Sequence, residues 1–168
     1  MRMKALLALA VAIALCIPIA PRASAVTTDE IAEALFRKIN NKRAKLHDLP
    51  RTEEWNVITD EAAEHSEYQA QQGEISHDGF NGRANRIQNA GNGINGVCEN
   101  VAFVSGVTDL KTIVRIFYRG WDKSPPHHRC LFDQEFRTTW AGVGVARRGS
   151  STFYATYIGA QDSSPNQP

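Results

Sequence analysis

The spacing of apolar and small side chains predicts three long helices. The first begins after Thr27 and Glu30, which have the Ser/Thr-x-x-Glu form of a capping box, and it ends near residue 45. Its apolar positions are Ile31, Leu35, Phe36 and Ile39. The second helix begins at Thr59 or Asp60 and ends at Gly73, a residue type that is common at helix C-caps.

The third helix has a single apolar face. Its apolar side chains follow the i, i+3, i+4, i+7, i+11 template, and they are Leu110, Ile113, Val114, Phe117 and Trp121. This spacing predicts a helix that begins at Thr108 and ends at the Pro125-Pro126 pair. A short helix is predicted over residues 81–88. Residues 89–96 read Asn-Ala-Gly-Asn-Gly-Ile-Asn-Gly, a composition typical of a loop.

Two stretches near the end of the chain alternate as strands do. Residues 140–146 place Val143 and Val145 on one side, and residues 153–158 alternate in the same way. Gly149 lies between them in a predicted hairpin turn over residues 147–151. Because helices come first and a hairpin comes last, the sequence predicts an α+β fold in which helices cover a mostly antiparallel central sheet.

The first 25 residues have the pattern of a secretory signal peptide. A short basic start precedes thirteen consecutive apolar residues, and Ala23-Ser24-Ala25 is a small-x-small cleavage site. The apolar run is shorter than the about 20 residues that a membrane-spanning helix needs. We therefore expect cleavage at about Ala25, no stable membrane insertion and a secreted or periplasmic protein. It would have one domain over residues 26–161 and a disordered tail over residues 162–168.

Removal of this leader changes the composition. The whole chain has 168 residues, 42% of them hydrophobic, and a formal net charge of +1. The mature chain would have 143 residues, about 36% of them apolar, and a net charge of −2, because the leader carries three basic residues and no acid. That length suits one domain with a core. The net charge, together with the lack of a strong basic patch, argues against a nucleic acid partner.

The mature chain would keep two cysteines, Cys98 and Cys130, because Cys16 lies in the leader. Two cysteines in an exported chain most simply pair with each other. Such a disulfide contributes about 3–4 kcal/mol in the chain-entropy description. The alternative is two free, buried thiols.

Chemistry must come from scattered residues, because Gly-x-Ser-x-Gly, His-Glu-x-x-His, Cys-x-x-Cys and phosphate-binding glycine loops do not occur in the sequence. Three segments carry reactive side chains beside turn residues: 76–80, 98–102 and 121–129. His65 follows Glu61 by one helical turn, which favours an exposed i, i+4 pair over a ligand. Trp121 ends an apolar stripe and is expected in the core.

Other polar residues are expected at the surface. His47 is interpreted as a loop residue. Glu64 and Glu67 favour a solvated acidic face, with the alternative that one of them reaches a cleft beside His77.

Five motifs in a fixed order carry a family resemblance. They are Asn40-x-x-Arg43, Ser76-His77-Asp78-Gly79-Phe80, Glu99-Asn100-Val101-Ala102, Trp121-x-x-Ser-Pro-x-His127 and Gly142-Val143-Gly144-Val145-Ala146. In this order they resemble the CAP superfamily of cysteine-rich secretory, antigen 5 and pathogenesis-related proteins, also called SCP-domain proteins, and its compact bacterial branch above all. The resemblance covers residues 31–160. It implies an α-β-α sandwich with a central cleft in which two His and two Glu face one another.

The resemblance also assigns site residues. It implies that His77 is the first His, Glu99 the Glu of the Glu-Asn motif and His127 the second His. Ser124 stands where the family has its second Glu. Two imidazoles and a carboxylate suit a divalent metal, Zn²⁺ above all, with a fourth position left to water or Ser124. In the alternative, both His side chains only hydrogen-bond Glu99 and keep the cleft in shape.

Three further roles depend on the same resemblance. Ser124 and Asn100 are candidate ligand-binding residues, and Asn100 is also expected to hydrogen-bond loop backbone and so pin the neighbouring carboxylate. The Ser-Pro-x-His spacing favours His127 over His128 as the ligand. A Cys98–Cys130 disulfide would tether the two segments that carry the site.

Three functions are compatible with this sequence. The leading one is a secreted CAP protein whose cleft binds a divalent metal and a small apolar ligand such as a sterol or fatty acid. The second is a secreted metal-dependent hydrolase, in which Glu99 would act as general base. The third is an extracellular interaction domain whose cleft is only structural.

Overall fold

The computed structural model describes residues 25–46, 49–91 and 93–163. Apart from Ala25, the predicted leader lies outside the described residues, as do His47 and residues 164–168 of the predicted tail. Asp162, where that tail was expected to begin, is instead the last residue of a strand. Among the described residues, no helix is long and apolar enough to cross a membrane.

The described residues form five helices and four strands. The helices are α1 (Thr28–Arg43), α2 (Asn56–Gln72), α3 (Phe80–Ala90), α4 (Leu110–Lys123) and α5 (Pro125–Phe132). The strands are β1 (Glu53–Glu54), β2 (Ile94–Ser105), β3 (Trp140–Arg148) and β4 (Thr152–Asp162). The prediction of an α+β fold is confirmed.

The strands form one sheet in the order β1-β3-β4-β2. β3 and β4 form the predicted antiparallel hairpin, and β2 pairs antiparallel with β4 along the opposite edge. The two-residue β1 runs parallel to β3, with Glu53 opposite Trp140. The sheet is therefore mixed, and the prediction of a mostly antiparallel sheet is corrected. The parallel pair arises because residues 53–54, which lie just before α2, run alongside the start of β3.

Three long helices form close to where the apolar and small side chains predicted them, although α2 begins at Asn56, before the predicted start at Thr59 or Asp60. α1 begins at the predicted capping box, and Gly73, in a left-handed conformation, caps the C-terminus of α2. Ser124 separates α4 from α5, and the Pro125-Pro126 pair begins α5, because proline is well suited to the first turn of a helix. α5 was not predicted.

The predicted loop over residues 89–96 is wrong at both ends. α3 continues to Ala90, and β2 begins at Ile94. β2 was not predicted, because helices pack against both faces of the sheet and its polar and apolar residues do not alternate.

One face of the sheet packs against α1, α4 and α5. The buried side chains of this core come from all three helices and from β2, β3 and β4, and they include Leu35, Phe117, Trp121, Leu131, Phe153 and Tyr157. Trp121, which was predicted to be core, is 1% exposed, and its indole N–H donates to the Val101 carbonyl. This face has the largest fully buried apolar side chains of the described residues.

The motif Asn40-x-x-Arg43 anchors α1 to the loops around it. The Asn40 amide pairs with both the N–H and the carbonyl of Thr52. The buried Arg43 guanidinium donates to the carbonyls of Pro50, Leu131 and Thr138. These bonds satisfy carbonyls from three segments at once, so the motif has a structural role.

The other face of the sheet lies directly under α2. A Cβ atom on Gly144 would lie 2.2 Å from the backbone carbon of Ala62, and one on Gly142 would lie 2.5 Å from the backbone nitrogen of Thr59. The Gly-x-Gly pattern of β3 therefore allows the helix backbone to approach the sheet. Polar groups fill part of this interface, where the Ser66 hydroxyl donates to the Gly144 carbonyl and its oxygen lies 3.0 Å from Thr156 Oγ1.

Candidate functional site

Glu99 lies at the centre of a buried polar cluster. It follows Cys98 in the edge strand β2, and its side chain points toward α3 and the loop before it. Arg83 of α3 binds its carboxylate with two hydrogen bonds, from Nε to Oε2 at 2.8 Å and from Nη2 to Oε1 at 2.9 Å. A bidentate pair of this kind fixes both groups in one plane. The carboxylate and the guanidinium neutralise each other in the protein interior.

His77 contacts the same carboxylate from the solvent side. Its Nδ1 donates to Glu99 Oε1 over 2.8 Å, while about half of its side chain remains exposed. Arg83 also donates to the Asp78 carbonyl, so one guanidinium holds both Glu99 and the loop that carries His77. Because Nδ1 carries the proton in this arrangement, the lone pair of the neutral ring lies on Nε2.

His65 is a buried member of this cluster, and the prediction of an exposed pair with Glu61 is wrong. Its Nε2 donates to the Ser76 carbonyl at 2.7 Å and lies 3.8 Å from Glu99 Oε1. Burial is the largest influence on the pKa of His65 and lowers it, with further lowering by the charges of Arg83 and His77, against the opposing effects of its hydrogen bond and of Glu99. Glu61 instead binds Arg86 of α3.

Asn100 and Cys98 point to the opposite side of β2 and hold α5. The Asn100 amide donates to the His127 carbonyl at 2.9 Å, so the predicted bond to backbone is present, although it goes to α5 and does not reach Glu99. Cys98 and Cys130 form the predicted disulfide, with their Cα atoms 5.7 Å apart. Cys98 and Asn100, the two residues on either side of Glu99 in β2, thus fix the helix that carries His127 beside the strand that carries Glu99.

His127 is partly buried at the start of α5. Burial lowers its pKa, and the nearby His77 lowers it further. The neutral form of His127 is therefore favoured, with a lone pair on one ring nitrogen. The structure brings His77, Glu99 and His127 to one edge of the sheet.

Ser124 and His128 lie on either side of His127. Ser124 joins α4 to α5, and its side chain makes no capping bond. The His128 ring lies against Phe132, and its Nδ1 contacts the Asp122 carboxylate and carbonyl. His128 therefore faces α4.

Next to the cluster, a cleft of about 370 Å³ opens between α2 and α3. Eight residues line it: Glu61, Glu64, His65, Tyr68, Asp78, Gly79, Arg83 and Arg86. Glu64 and Glu67 are exposed, as expected for a solvated face. Charges of both signs line the cleft, and two of them already pair across it through Glu61 and Arg86.

The layer of α1, α4 and α5 carries a basic groove of about 490 Å³, which the sequence analysis did not predict. It lies between α1 and α4, and its four basic residues are Arg37, Lys38, Lys42 and Lys45. Part of this charge is compensated, because Arg37 pairs with Glu33 and Lys38 lies over the Tyr118 ring. Lys42 follows Lys38 by four positions and Lys45 follows Lys42 by three, so these cations merge into a patch only once the helix forms.

Arg83 and His65 are the site residues that sequence reasoning missed. Arg83 lies in a short polar helix with little apolar pattern, and its contact with Glu99 joins residues 16 positions apart. The buried face of α2 was a usable signal for His65, because Ala62, Ser66 and Gln69 lie on the same side of that helix.

The donor set fits a metal only in part. In the described part of the chain, no three His, Cys, Asp or Glu side chains are grouped as metal ligands. Both oxygens of Glu99 are taken by Arg83 and His77. The free lone pair of His77 and the neutral ring of His127 are donors that suit a borderline-soft divalent metal.

No protein-family model matches the chain, and no curated protein is similar to it. Solved structures are similar. An outer surface protein from Borrelia burgdorferi has 21% identity and a TM-score of 0.64, over 83% of this chain and 98% of that one.

Two further structures carry the family name. An extracellular protein with an SCP domain from Bacillus anthracis has 22% identity and a TM-score of 0.57, over 78% of this chain and 41% of that one. A cysteine-rich secretory protein from Staphylococcus aureus has 19% identity and a TM-score of 0.57, over 80% and 40%. The chain spans about two fifths of these two proteins. Together with the order of helices and strands, these likenesses show that the chain has the fold of the CAP superfamily.

Proposed function

We propose that this CAP-fold protein acts outside the cytoplasm and binds a divalent metal, Zn²⁺ above all, through His77 and His127. The hydrogen bond from His77 Nδ1 to Glu99 carries the proposal. In metal sites, a ligating His commonly donates its other ring N–H to a carboxylate, which fixes the tautomer and the ring orientation. Here Glu99 supplies this support to His77. The other ring nitrogen, His77 Nε2, belongs to a side chain that is about half exposed.

Glu99 acts in this proposal as a positioning residue and not as the third ligand. Its two oxygens accept three hydrogen bonds from Arg83 and His77, so a metal would have to displace the guanidinium. The charge of Arg83 also opposes direct binding of a cation at Glu99. Two imidazoles would hold the metal, with water or Ser124 in the remaining positions.

A binding role is favoured over hydrolysis by the state of Glu99. A general base needs a free lone pair within reach of the proton that it removes. Glu99 is buried, and Arg83 and His77 fill three of the about four lone-pair positions of its carboxylate. Zn²⁺ at this position would supply Lewis acidity. The Glu99 carboxylate beside it, however, is arranged to hold His77 and not to act as a base.

The location outside the cytoplasm is supported by the Cys98–Cys130 disulfide, because such bonds persist in oxidising compartments. The signal-peptide pattern of residues 1–25 points the same way. The bacterial proteins of similar fold are an outer surface protein, an extracellular protein and a secretory protein by their own descriptions.

Calorimetric titration of the chelator-treated protein with ZnCl₂ tests the proposal. We expect one saturable site in the unchanged protein and loss of that site in the His77→Ala, His127→Ala double variant. His128→Ala is the matched control, because His128 is adjacent in sequence but faces Asp122. Equal Zn²⁺ stoichiometry in the double variant and the unchanged protein would contradict the proposal.

Glu99→Gln separates the positioning role from the ligand role. If Glu99 orients His77, Zn²⁺ affinity falls by about 10–100-fold but binding remains. Since Arg83 would lose its buried counter-charge, circular dichroism must first show that the variant is folded. A folded variant with unchanged affinity would exclude any contribution of Glu99.

A further inference from the structure

The groove between α1 and α4 has a wall from each helix. Lys38 and Lys42 of α1 line one side of it, and both are exposed. Val114 and Tyr118 of α4 form the other side. None of these residues belongs to the candidate metal site, which faces α2 and α3. The groove and the metal site can therefore be tested separately.

α4 adds a stripe of cations beside the groove. Lys111, Arg115 and Arg119 follow one another at intervals of four residues, and all three are exposed. Residues at this interval are neighbours on a helix surface, about 6 Å apart along its axis. Lys111 shares a helix face with Val114 and Tyr118, which follow it by three and seven positions. The stripe therefore begins at the rim of the groove and continues along the outer surface of α4.

α1 contributes positive charge to the opposite rim. Residues 37–42 read Arg-Lys-Ile-Asn-Asn-Lys and contain no acid. Arg37 pairs with Glu33, so part of this charge is compensated within the helix. Lys38 and Lys42 are one turn apart on the groove side. Cations from two helices thus face the same groove.

The two helical layers differ in the sign of their charge. α2 contains four acidic residues and no Lys or Arg, whereas α4 contains four cations and one acid, Asp122. The net charge of −2 expected for the mature chain therefore conceals a positive surface on one layer. At physiological ionic strength such a surface attracts anions over about 8 Å.

The shape of this surface favours a polymer chain over a membrane. A helix that lies on a bilayer needs a free apolar face. The apolar face of α4, which carries Ile113, Phe117 and Trp121, is buried in the core. Ile116 is exposed, but it lies between charged residues and does not form such a face.

The spacing of the cations also argues for an extended ligand. A single phosphate is too small to contact cations that are about 6 Å apart along a helix on both sides of a groove. A linear polymer with repeated anionic groups can follow the groove and contact several cations at once. Lysine suits this task, because its ammonium is a point charge on a flexible stem and tolerates different arrangements of the anions.

We propose that the surface formed by α1 and α4 binds a linear polyanion, a polymer with closely spaced phosphate or carboxylate groups. The cations at the two rims of the groove contact successive anionic groups of one polymer chain. Binding of this kind holds an exported protein at an anionic polymer layer without a membrane anchor.

Calorimetric titration with long-chain sodium polyphosphate tests the proposal, and sodium tripolyphosphate is the short probe with the same anionic group. EDTA in the buffer keeps the metal site empty, so the result does not depend on the proposed Zn²⁺ binding. We expect saturable binding of the long chain and at least tenfold weaker binding of tripolyphosphate at equal phosphate concentration. With four or five contacts, affinity for the long chain should fall by about 50–500-fold between 50 and 200 mM NaCl, because counterions are released on binding. Equal affinity for the two probes overturns the proposal.

Charge reversal locates the binding surface. The Lys42→Glu, Lys111→Glu double variant changes one cation on each helix, and it should bind long-chain polyphosphate at least tenfold more weakly. The control is the Arg147→Glu, Arg148→Glu double variant, which makes the same change in net charge at exposed positions of β3 and should keep its affinity within about twofold. Equal losses in the two double variants would show an effect of net charge alone and would overturn the proposal.

A milder pair of changes keeps the proposal testable if circular dichroism shows that the charge-reversed variant is not folded. Lys38→Gln, Arg115→Gln removes one further cation from each helix without adding a negative charge. We expect at least threefold weaker polyphosphate binding. Full affinity in this folded variant overturns the proposal.

Sedimentation with phosphatidylglycerol vesicles tests a bilayer as the alternative occupant. Weaker binding to the vesicles than to polyphosphate, at equal concentrations of negative charge, supports the linear polymer. Stronger binding to the vesicles overturns the proposal in favour of a membrane surface.

Discussion

The two faces of the central sheet are covered by helices in different ways. On one face, α1, α4 and α5 bury large apolar side chains such as Phe117, Trp121 and Tyr157. On the other face, α2 lies so close to Gly142 and Gly144 that large side chains have no room between them. Ser66, Gln69 and Thr156 form hydrogen bonds there, and Glu99, Arg83 and His65 continue the polar interface toward the edge of the sheet.

Because of this difference, we expect one face of the sheet to supply most of the stability and the other face to position the side chains of the candidate site. Burial of large apolar groups supplies most of the folding free energy, and it requires only volume and shape. Close helix-to-sheet contact with hydrogen-bonded polar groups contributes less, but it fixes the positions of individual side chains. We therefore expect changes on the α1, α4 and α5 face to act on stability, and changes on the α2 and α3 face to act on site geometry and on pH dependence.

The largest effect is expected for Trp121→Ala. The ring is buried, stacks on Phe117 at a centroid distance of 6.2 Å and donates to the Val101 carbonyl, which would lose its partner. The free energy of unfolding should fall by about 3–5 kcal/mol, measured by urea denaturation. Ile116→Ala on the same helix is the control, because Ile116 is exposed and should change stability by about 0.5 kcal/mol or less.

If Trp121→Ala cost no more than Ile116→Ala, the apolar face would not be the main source of stability. If the folded fraction of Trp121→Ala also lost Zn²⁺ binding, the two faces would not be separable in function.

The sequence predicted the apolar face well and the polar face poorly. The apolar stripe of α4, the hairpin of β3 and β4 and the Cys98–Cys130 pair are local patterns or simple consequences of composition. The family motifs placed His77, Glu99 and His127, which the structure gathers at one sheet edge. The contact of Arg83 with Glu99 and the burial of His65 depend on which helix packs beside β2. No local pattern in the sequence indicates that packing.

β2 shows why the polar face was harder to predict. Its core-facing residues on one side include Cys98 and Asn100, and Glu99 points to the other side. Glu and Asn normally suggest a surface or a loop. Each of the three residues is held by a partner more than 15 positions away in sequence, so hydrophobic periodicity does not reveal the strand.

A matched pair of glycines tests the close contact of α2. Gly144→Ala would place a Cβ atom 2.2 Å from the Ala62 backbone, so the helix must move, and stability should fall by about 1–3 kcal/mol. Gly120→Ala lies in the exposed interior of α4 with nothing within 4 Å, and it should raise stability by up to about 1 kcal/mol. Thermal or urea unfolding measures both.

Opposite signs for the same chemical change would confirm that the contact with α2 differs from the rest of the surface. A neutral Gly144→Ala would mean that α2 adjusts freely and does not fix His65.

The smallest effect is a pH dependence of stability on the polar face. Burial lowers the pKa of His65 below the value of 6.5 that the unfolded chain has. Between these two values the unfolded state binds more protons, so stability falls as the pH drops below 6.5, by at most about 1.4 kcal/mol per pH unit for one group. The lowered pKa of His127 acts in the same direction.

His65→Gln can still donate to the Ser76 carbonyl, and it should reduce the slope of unfolding free energy between pH 7.0 and 5.5, measured in EDTA. Ile116→Ala, at an exposed position of α4, should give a curve parallel to that of the unchanged protein. If His65→Gln kept the full slope, the buried imidazole would not be the group that links folding to pH, and the polar face would lack the titratable element that distinguishes it from the apolar one.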